Sequence, residues 1–423
     1  MIKLYLLFPL FLNISYSSFS QKQGQPRIDS LLDHLTGYPA SKHQVNLYND
    51  LSFTYYSVNA VQGIHYGKRA LELAEELKWD SGIADANQMI GMNYYSISDY
   101  TQALNYFKIT LKLVQKLNYL HRKADVLGRL SIIYNEQGDY PKAMELALMS
   151  MKISEENGFP ACIANACYDL GAIYNIQGDS AKALEYYKRA LIIFKDINHK
   201  DGEANTINDI GTVYAFYELD TSFSFFQKAL QLNQSLGLNR NVARNFANIG
   251  VYYMWKKEYA KALDYTFRST VFVERVNDKR GMATNLANLG FNYLEIAKDS
   301  NNKQLPDSLR SKNKVLQKSI SCLHKAIKIS EDAGLPYFLM YLFESLSEAE
   351  AMSGNYQEAL NSYRKHSTLK DSIFSTESNK KLKAFEIEEE GKIKQSQIKV
   401  QSLQLATAKK EKIGLFSGLV LWG

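Results

Sequence analysis

Apolar residues spaced three and four apart, the interval that lines one face of an α-helix, run through most of this chain in paired blocks. One block carries Leu170, Ile173 and Tyr174, and the next carries Ala183, Leu184, Tyr187 and Leu191. Between paired blocks lie short polar turns: Ser98-Asp99-Tyr100, Gly138-Asp139-Tyr140, Gly178-Asp179-Ser180 and Gly354-Asn355-Tyr356. Glycine tolerates the left-handed conformation that ends one helix, and Asp or Asn caps the next. The pattern predicts helical hairpins.

The hairpins repeat with a fixed beat. Ile90-Gly91-x-x-Tyr94 returns as Leu130-Ser131-x-x-Tyr134, Leu170-Gly171-x-x-Tyr174, Ile210-Gly211-x-x-Tyr214, Ile249-Gly250-x-x-Tyr253 and Leu289-Gly290-x-x-Tyr293, so the tyrosines step by 40, 40, 40, 39 and 40. Small residues Ala70, Thr110, Ser150, Ala190, Ala229 and Ser269 keep the same steps. Small side chains at fixed positions let helix backbones approach closely. One hairpin buries too little surface to stand alone, whereas stacked hairpins share a continuous core. At 423 residues the chain exceeds what a single core organises, in keeping with an extended array of about eight units.

These residues resemble tetratricopeptide repeats, in which Leu-Gly-x-x-Tyr is followed by an Ala and an aromatic, here Ala103-x-x-x-Phe107 and Ala183-x-x-x-Tyr187. The sequence departs from that family in its longer beat and its missing late Pro, and the usual Trp column holds Leu127, Cys167, Ile207, Phe246 and Leu286. The resemblance implies an all-α fold: a right-handed α-solenoid of helical hairpins with a 40-residue period, followed by a long helix. It also implies a groove that holds a protein or peptide.

The expected organisation is a signal peptide over 1–20, an N-terminal cap over 21–43 and the array over 44–373, with a polar insertion near 298–313. The signal rests on Lys3, an apolar stretch from Leu4 to Ile14 and the small-x-small site Ser18-Phe19-Ser20. A Lys/Glu/Gln-rich segment over 374–412 reads as one long helix, either a dimeric coiled coil or a solvated single helix. The uncharged end, 413–423, reads as the start of a truncated transmembrane helix. These parts predict an exported protein, periplasmic or extracytoplasmic, anchored to the inner membrane by its C-terminus.

Composition narrows the function. With 46% hydrophobic and 22% charged residues, and 29 tyrosines against 7 prolines, the chain is that of a folded helical protein. A net charge of +6 without a dense basic stripe argues against nucleic acid. Cys162, Cys167 and Cys322 make no C-x-x-C pair and read as packing residues. No H-E-x-x-H, G-x-S-x-G or G-x-G-x-x-G motif occurs, and the histidines show no i, i+4 pair. No catalytic residue, metal site or cofactor is therefore expected. Gly63 to Arg69 falls one residue short of a phosphate loop and lies inside a predicted helix.

A polar column two residues before the Gly/Ser column, Arg129, Asp169, Asp209, Asn248 and Asn288, falls about 200° around the helix from it. Arg244, four residues before Asn248, shares that face. These six are the candidate binding residues, either lining a groove or bonding between neighbouring helices. The expected function is the sensory, ligand-holding region of a membrane-anchored signalling protein, a histidine kinase by resemblance, with the output domain outside this chain and a homodimer allowed. A non-catalytic envelope scaffold is the alternative.

Overall fold

The computed structural model describes residues 19–35, 40–56, 58–275, 278–299, 307–375, 378–385 and the single positions 387, 391 and 395. It divides into two compact units, Met1–Ile373 and Phe374–Gly423. In the first, helix α1 (Phe19–Leu35) precedes α2 (Lys42–Tyr55), α3 (Ala60–Glu76), α4 (Asp80–Ser96), α5 (Tyr100–Lys116), α6 (Leu120–Glu136), α7 (Tyr140–Asn157), α8 (Pro160–Ile176) and α9 (Ser180–Asp196). There follow α10 (Lys200–Tyr214), α11 (Leu219–Ser235), α12 (Asn239–Trp255), α13 (Tyr259–Arg275), α14 (Lys279–Lys298), the one-turn α15 (Asp307–Arg310), α16 (Lys312–Ala333), α17 (Pro336–Met352) and α18 (Tyr356–Ile373). Apart from the one-turn α15, helices α2 to α18 pair in sequence into hairpins, α14 with α16, each packed on the next, and no strand occurs among the described residues. The fold is an all-α solenoid.

The turn chemistry acts as the sequence predicts. Asp99, Asp139 and Asp179 accept the backbone N–H groups of Gln102, Lys142 and Lys182, while Gly138 and Gly178 sit at φ of 77° and 82°. The hairpin of α10 and α11 departs from this. None of its turn residues is left-handed, Glu218 N–H donates directly to Tyr214 O at 2.8 Å, and the beat shortens there by one residue.

The glycine column has a sharper cause than general closeness. A Cβ on Gly91, Gly171 or Gly211 would lie 2.9, 2.7 or 2.8 Å from the ring of Phe107, Tyr187 or Phe226, the aromatic on the second helix of the same hairpin. Each ring lies flat on a backbone that has no side chain to offer. Where the column holds Ser131, the opposite position is Ala147, and the Ser131 hydroxyl donates to Ala143 O at 2.7 Å. The column thus sets glycine against a ring, or serine against alanine.

The array also returns on itself. The Arg240 guanidinium, at the start of α12, donates to Ser96 O and Oγ at the end of α4, at 2.7 and 2.8 Å, and lies over the Tyr56 ring. Arg280, at the start of α14, pairs with Glu136 at the end of α6, and its backbone N–H donates to Ser98 Oγ. Both side-chain pairs are 144 residues apart. The same offset twice means a regular winding, in which the start of α12 and the start of α14 seat on the turns four hairpins earlier. Tyr337 of α17 continues the seam, edge-on to Tyr140 at 6.0 Å, and Ala333 and Leu335 join the core that holds Tyr100, Phe107, Leu127 and Ile133.

Several expectations need placing against this. Anchoring of the chain to the inner membrane by its C-terminus, and with it the membrane as partner, is corrected: among the described residues no helix is long and apolar enough to cross a membrane. The apolar stretch 413–423, the signal segment up to residue 18 and most of the helix expected over 374–412 lie outside the described residues. Within the polar insertion, α14 runs on to Lys298 and α15 and α16 occupy much of 307–313.

Candidate functional site

The six candidate residues project from the first helices of successive hairpins, α6, α8, α10, α12 and α14, and the structure unites some of them. Asp209 is the hub. It accepts a hydrogen bond from the Tyr168 hydroxyl, pairs with Arg244 Nη2 at 2.8 Å and accepts from Asn208 Nδ2 at 3.0 Å. Asn208 Oδ1 in turn accepts from Asn245 at 2.7 Å and Asn248 at 2.9 Å, and Asn233 donates to Asn245 at 2.7 Å. Arg244, Asn248 and Asp209 thus belong to one network across α10 and α12, built by a spacing of one repeat.

Arg129 stands apart in a second cluster, held by Asp125 at 3.0 Å on its own helix, while Gln88 of α4 donates to the same carboxylate. Asp169 lies beneath it. The residue is 5% exposed, its Oδ2 has no hydrogen-bond partner, and that oxygen lies 3.6 Å from where a Cβ on Gly128 would stand. Burial pushes its carboxyl well above the usual carboxylate range, and the nearby Arg129 only partly opposes that. Asn288 is buried on α14, outside both clusters.

The winding, closed at the seam by Arg240 and Arg280, encloses a hollow. Desolvation is the largest single influence on Arg244, outweighed by Asp209 and Tyr168, which raise its pKa, yet its side chain stays substantially exposed. The same holds for Arg280, with Glu136 as the main charge that raises its pKa. Both arginines are thus crowded by protein and still reached by solvent. Burial also raises the Glu136 carboxyl, with Arg280 opposing it, and carries Cys162 and Cys167 up to about 11, too high for thiolate chemistry.

Several residues that build this hollow were not among the sequence candidates: Gln88, Asp125, Glu136, Tyr168, Arg240 and Arg280. Asp125 and Arg129 carry an i, i+4 signal that spacing alone exposes. The Arg280–Glu136 pair carries none, because its members meet only through winding. Among the described residues no group of three His, Cys, Asp or Glu side chains is placed to hold a metal.

A family model described as tetratricopeptide repeat matches residues 82–156 and 161–235, the hairpins from α4 to α11. Over those two stretches the repeats match tetratricopeptide repeats. No curated protein sequence matches the chain. Among solved structures, the array is similar to a Rap protein complexed with competence and sporulation factor, at 14% identity and a TM-score of 0.57, covering 85% of this chain and 95% of that one. It is similar to the Rap conjugation gene regulator of the plasmid pLS20 in complex with the Phr* peptide, at 10% identity and a TM-score of 0.56, covering 82% and 94%. Aspartyl phosphate phosphatase F from Bacillus subtilis matches at 11% identity and a TM-score of 0.50, covering 84% and 92%. At such identities the likeness is one of fold.

Proposed function

We propose that this tetratricopeptide array captures a peptide or an extended protein segment in its hollow and serves as the sensory region of a signalling protein. The observation that carries the reading is the Asp209 network, in which polar groups from α8, α10 and α12 are held in fixed positions inside a solvent-reached space. Fixed donors and acceptors on rigid helices are what recognition of a peptide backbone and its side chains requires. Supporting it, two solved structures of the same fold hold a bound factor or peptide.

Arg129, Asp169, Asp209, Arg244, Asn248 and Asn288 are proposed as the face along which the segment runs. The output, a kinase in the resemblance, is proposed to respond to that capture. Selection from a displayed peptide library tests the first step. The expected result is a defined peptide motif whose affinity falls about tenfold or more in the Asn248→Ala, Arg244→Gln variant, measured well below that variant's melting temperature. Failure of any peptide to be enriched, or enrichment indifferent to both substitutions, overturns the reading.

A further inference from the structure

The position two residues beyond the recurring tyrosine holds Ser96, Glu136, Ile176, Phe216 and Trp255 in successive hairpins. The first two are seats of the seam. Ser96 is buried and receives Arg240 at 2.7 Å, and Glu136, also largely buried, pairs with Arg280. The last two are aromatic and open. Phe216 is 77% exposed and Trp255 42%, their rings lie 5.9 Å apart, and the half-exposed Tyr217 extends the patch. A hydroxyl or a carboxylate suits the cation that covers it, whereas rings in the same register on two neighbouring turns suit an apolar cover. The three rings present on the order of 300 Å² to solvent, a patch size that on a single chain marks an interaction site.

The surrounding charges identify the cover. The α10–α11 turn carries Glu218 and leads into Asp220, both exposed, and the α12–α13 turn carries Lys256 and Lys257, also exposed. Glu258, which follows them, is paired with Lys261 at 2.6 Å. Asp220 and Lys256 tie the two turns together within the chain at 2.8 Å, which leaves Glu218 on the one turn and Lys257 on the other. A patch of one sign would repel its own copy. An acidic turn beside a basic turn is instead complementary to itself after a rotation of 180°, because a two-fold axis sets each turn against the other turn of the second copy.

We propose that these two open turns are the interface of a two-fold dimer of this chain, in which Phe216 of each copy packs against Trp255 of the other and Glu218 meets Lys257 across the axis. The rings form the apolar centre of the contact and the turn charges its polar rim. The dimer continues the seam: the earlier turns are covered by later hairpins of the same chain, and these two by a second copy. Because the rings account for less than half of the ~800 Å² per partner that a standard interface buries, the association is weak and depends on concentration. The inference is independent of the peptide-capture reading.

Sedimentation equilibrium of the full chain across the micromolar range tests it. A monomer–dimer equilibrium is expected, weakened about tenfold or more by Phe216→Asp, which places a charge in the apolar centre. Below the dissociation constant the same substitution should leave the melting temperature unchanged, since Phe216 is exposed in the single chain. Glu218→Lys and Lys257→Glu should each weaken the dimer, and the variant carrying both should recover it, because each copy then offers the reversed pair. A chain that stays monomeric and loses stability in Phe216→Asp covers the turns with a segment of its own, and one that stays monomeric with unchanged stability leaves them to a different protein. Either result overturns the proposal, as does a dimer indifferent to Phe216→Asp or a pair of charge reversals whose losses add in the double variant.

Discussion

The turn of the α6–α7 hairpin and the turn of the α10–α11 hairpin hold equivalent places in their repeats, and their aromatic residues meet opposite fates. Tyr140 is 1% exposed beneath Tyr337, whereas Phe216 is 77% exposed, with Tyr217 and Trp255 also open beside it. Part of the difference is local, since Tyr140 opens a helix, as the buried Tyr259 does, whereas Phe216 lies in the turn itself. The winding adds the rest. Hairpins four and five repeats later come back over the first turn, and no described part of the first unit comes back over the later one. Burial in this array is decided by distance along the superhelix as much as by the residue.

That contrast is most easily broken at Tyr140. Tyr140→Ala should cost about 3–5 kcal/mol, the loss of a large buried aromatic, while Phe216→Ala should change stability by less than about 0.5 kcal/mol. Chemical denaturation of the two variants measures the difference directly. Next in size is the seam. Arg280→Ala leaves Glu136 buried without its cation and should cost about 2 kcal/mol, discounted from a fully buried pair because Arg280 is half exposed. Amide exchange should then quicken together at the ends of α4 and α6 and at the starts of α12 and α14, and faster exchange at only one of these ends would break the seam account.

Within a hairpin, Gly171→Ala should cost about 1–3 kcal/mol by driving a methyl into Tyr187. Adding Tyr187→Ala to Gly171→Ser reproduces the Ser131 and Ala147 arrangement, so the double variant should be less destabilised than the sum of the two single changes. Additive losses would contradict the exchange of ring for hydroxyl. The smallest effect has the opposite sign. The raised carboxyl of Asp169 contributes stability that is fully present below the unfolded value of about 3.9 and is lost as pH rises toward its folded pKa. Asp169→Asn should therefore stabilise the array at pH 7 and flatten its pH dependence. The isosteric amide suits the column, which holds Asn248 and Asn288 at the matching positions.

Much of this was legible in the sequence. Helix pairing, the capped turns, the hairpin beat and the place of the anomalous 39-residue step all follow from local chemistry repeated in register. The polar column was legible as a face, and Asp209, Arg244 and Asn248 meet because one repeat separates them. What spacing does not carry is the return of the array. The contacts of Arg240 with Ser96 and Arg280 with Glu136 depend on small rotations summed over four hairpins, and no single residue encodes that sum. Nor does a column of Asp and Asn reveal which member is stranded: burial pushes the Asp169 carboxyl up, while Asp209 at the same position is ion-paired.

The winding that closes the hollow is the claim on which the candidate site depends, and a distance across the seam tests it most directly. Spin labels at Gln137→Cys and Lys279→Cys, in a chain whose Cys322 is replaced by Ser, report it by pulsed dipolar spectroscopy. Cys162 and Cys167 are buried, with thiols pushed up to about 11, and label slowly. A returning array predicts a label separation below about 20 Å, whereas four hairpins laid out without return, at about 10 Å per packed layer, would put the labels on the order of 40 Å apart and contradict the account.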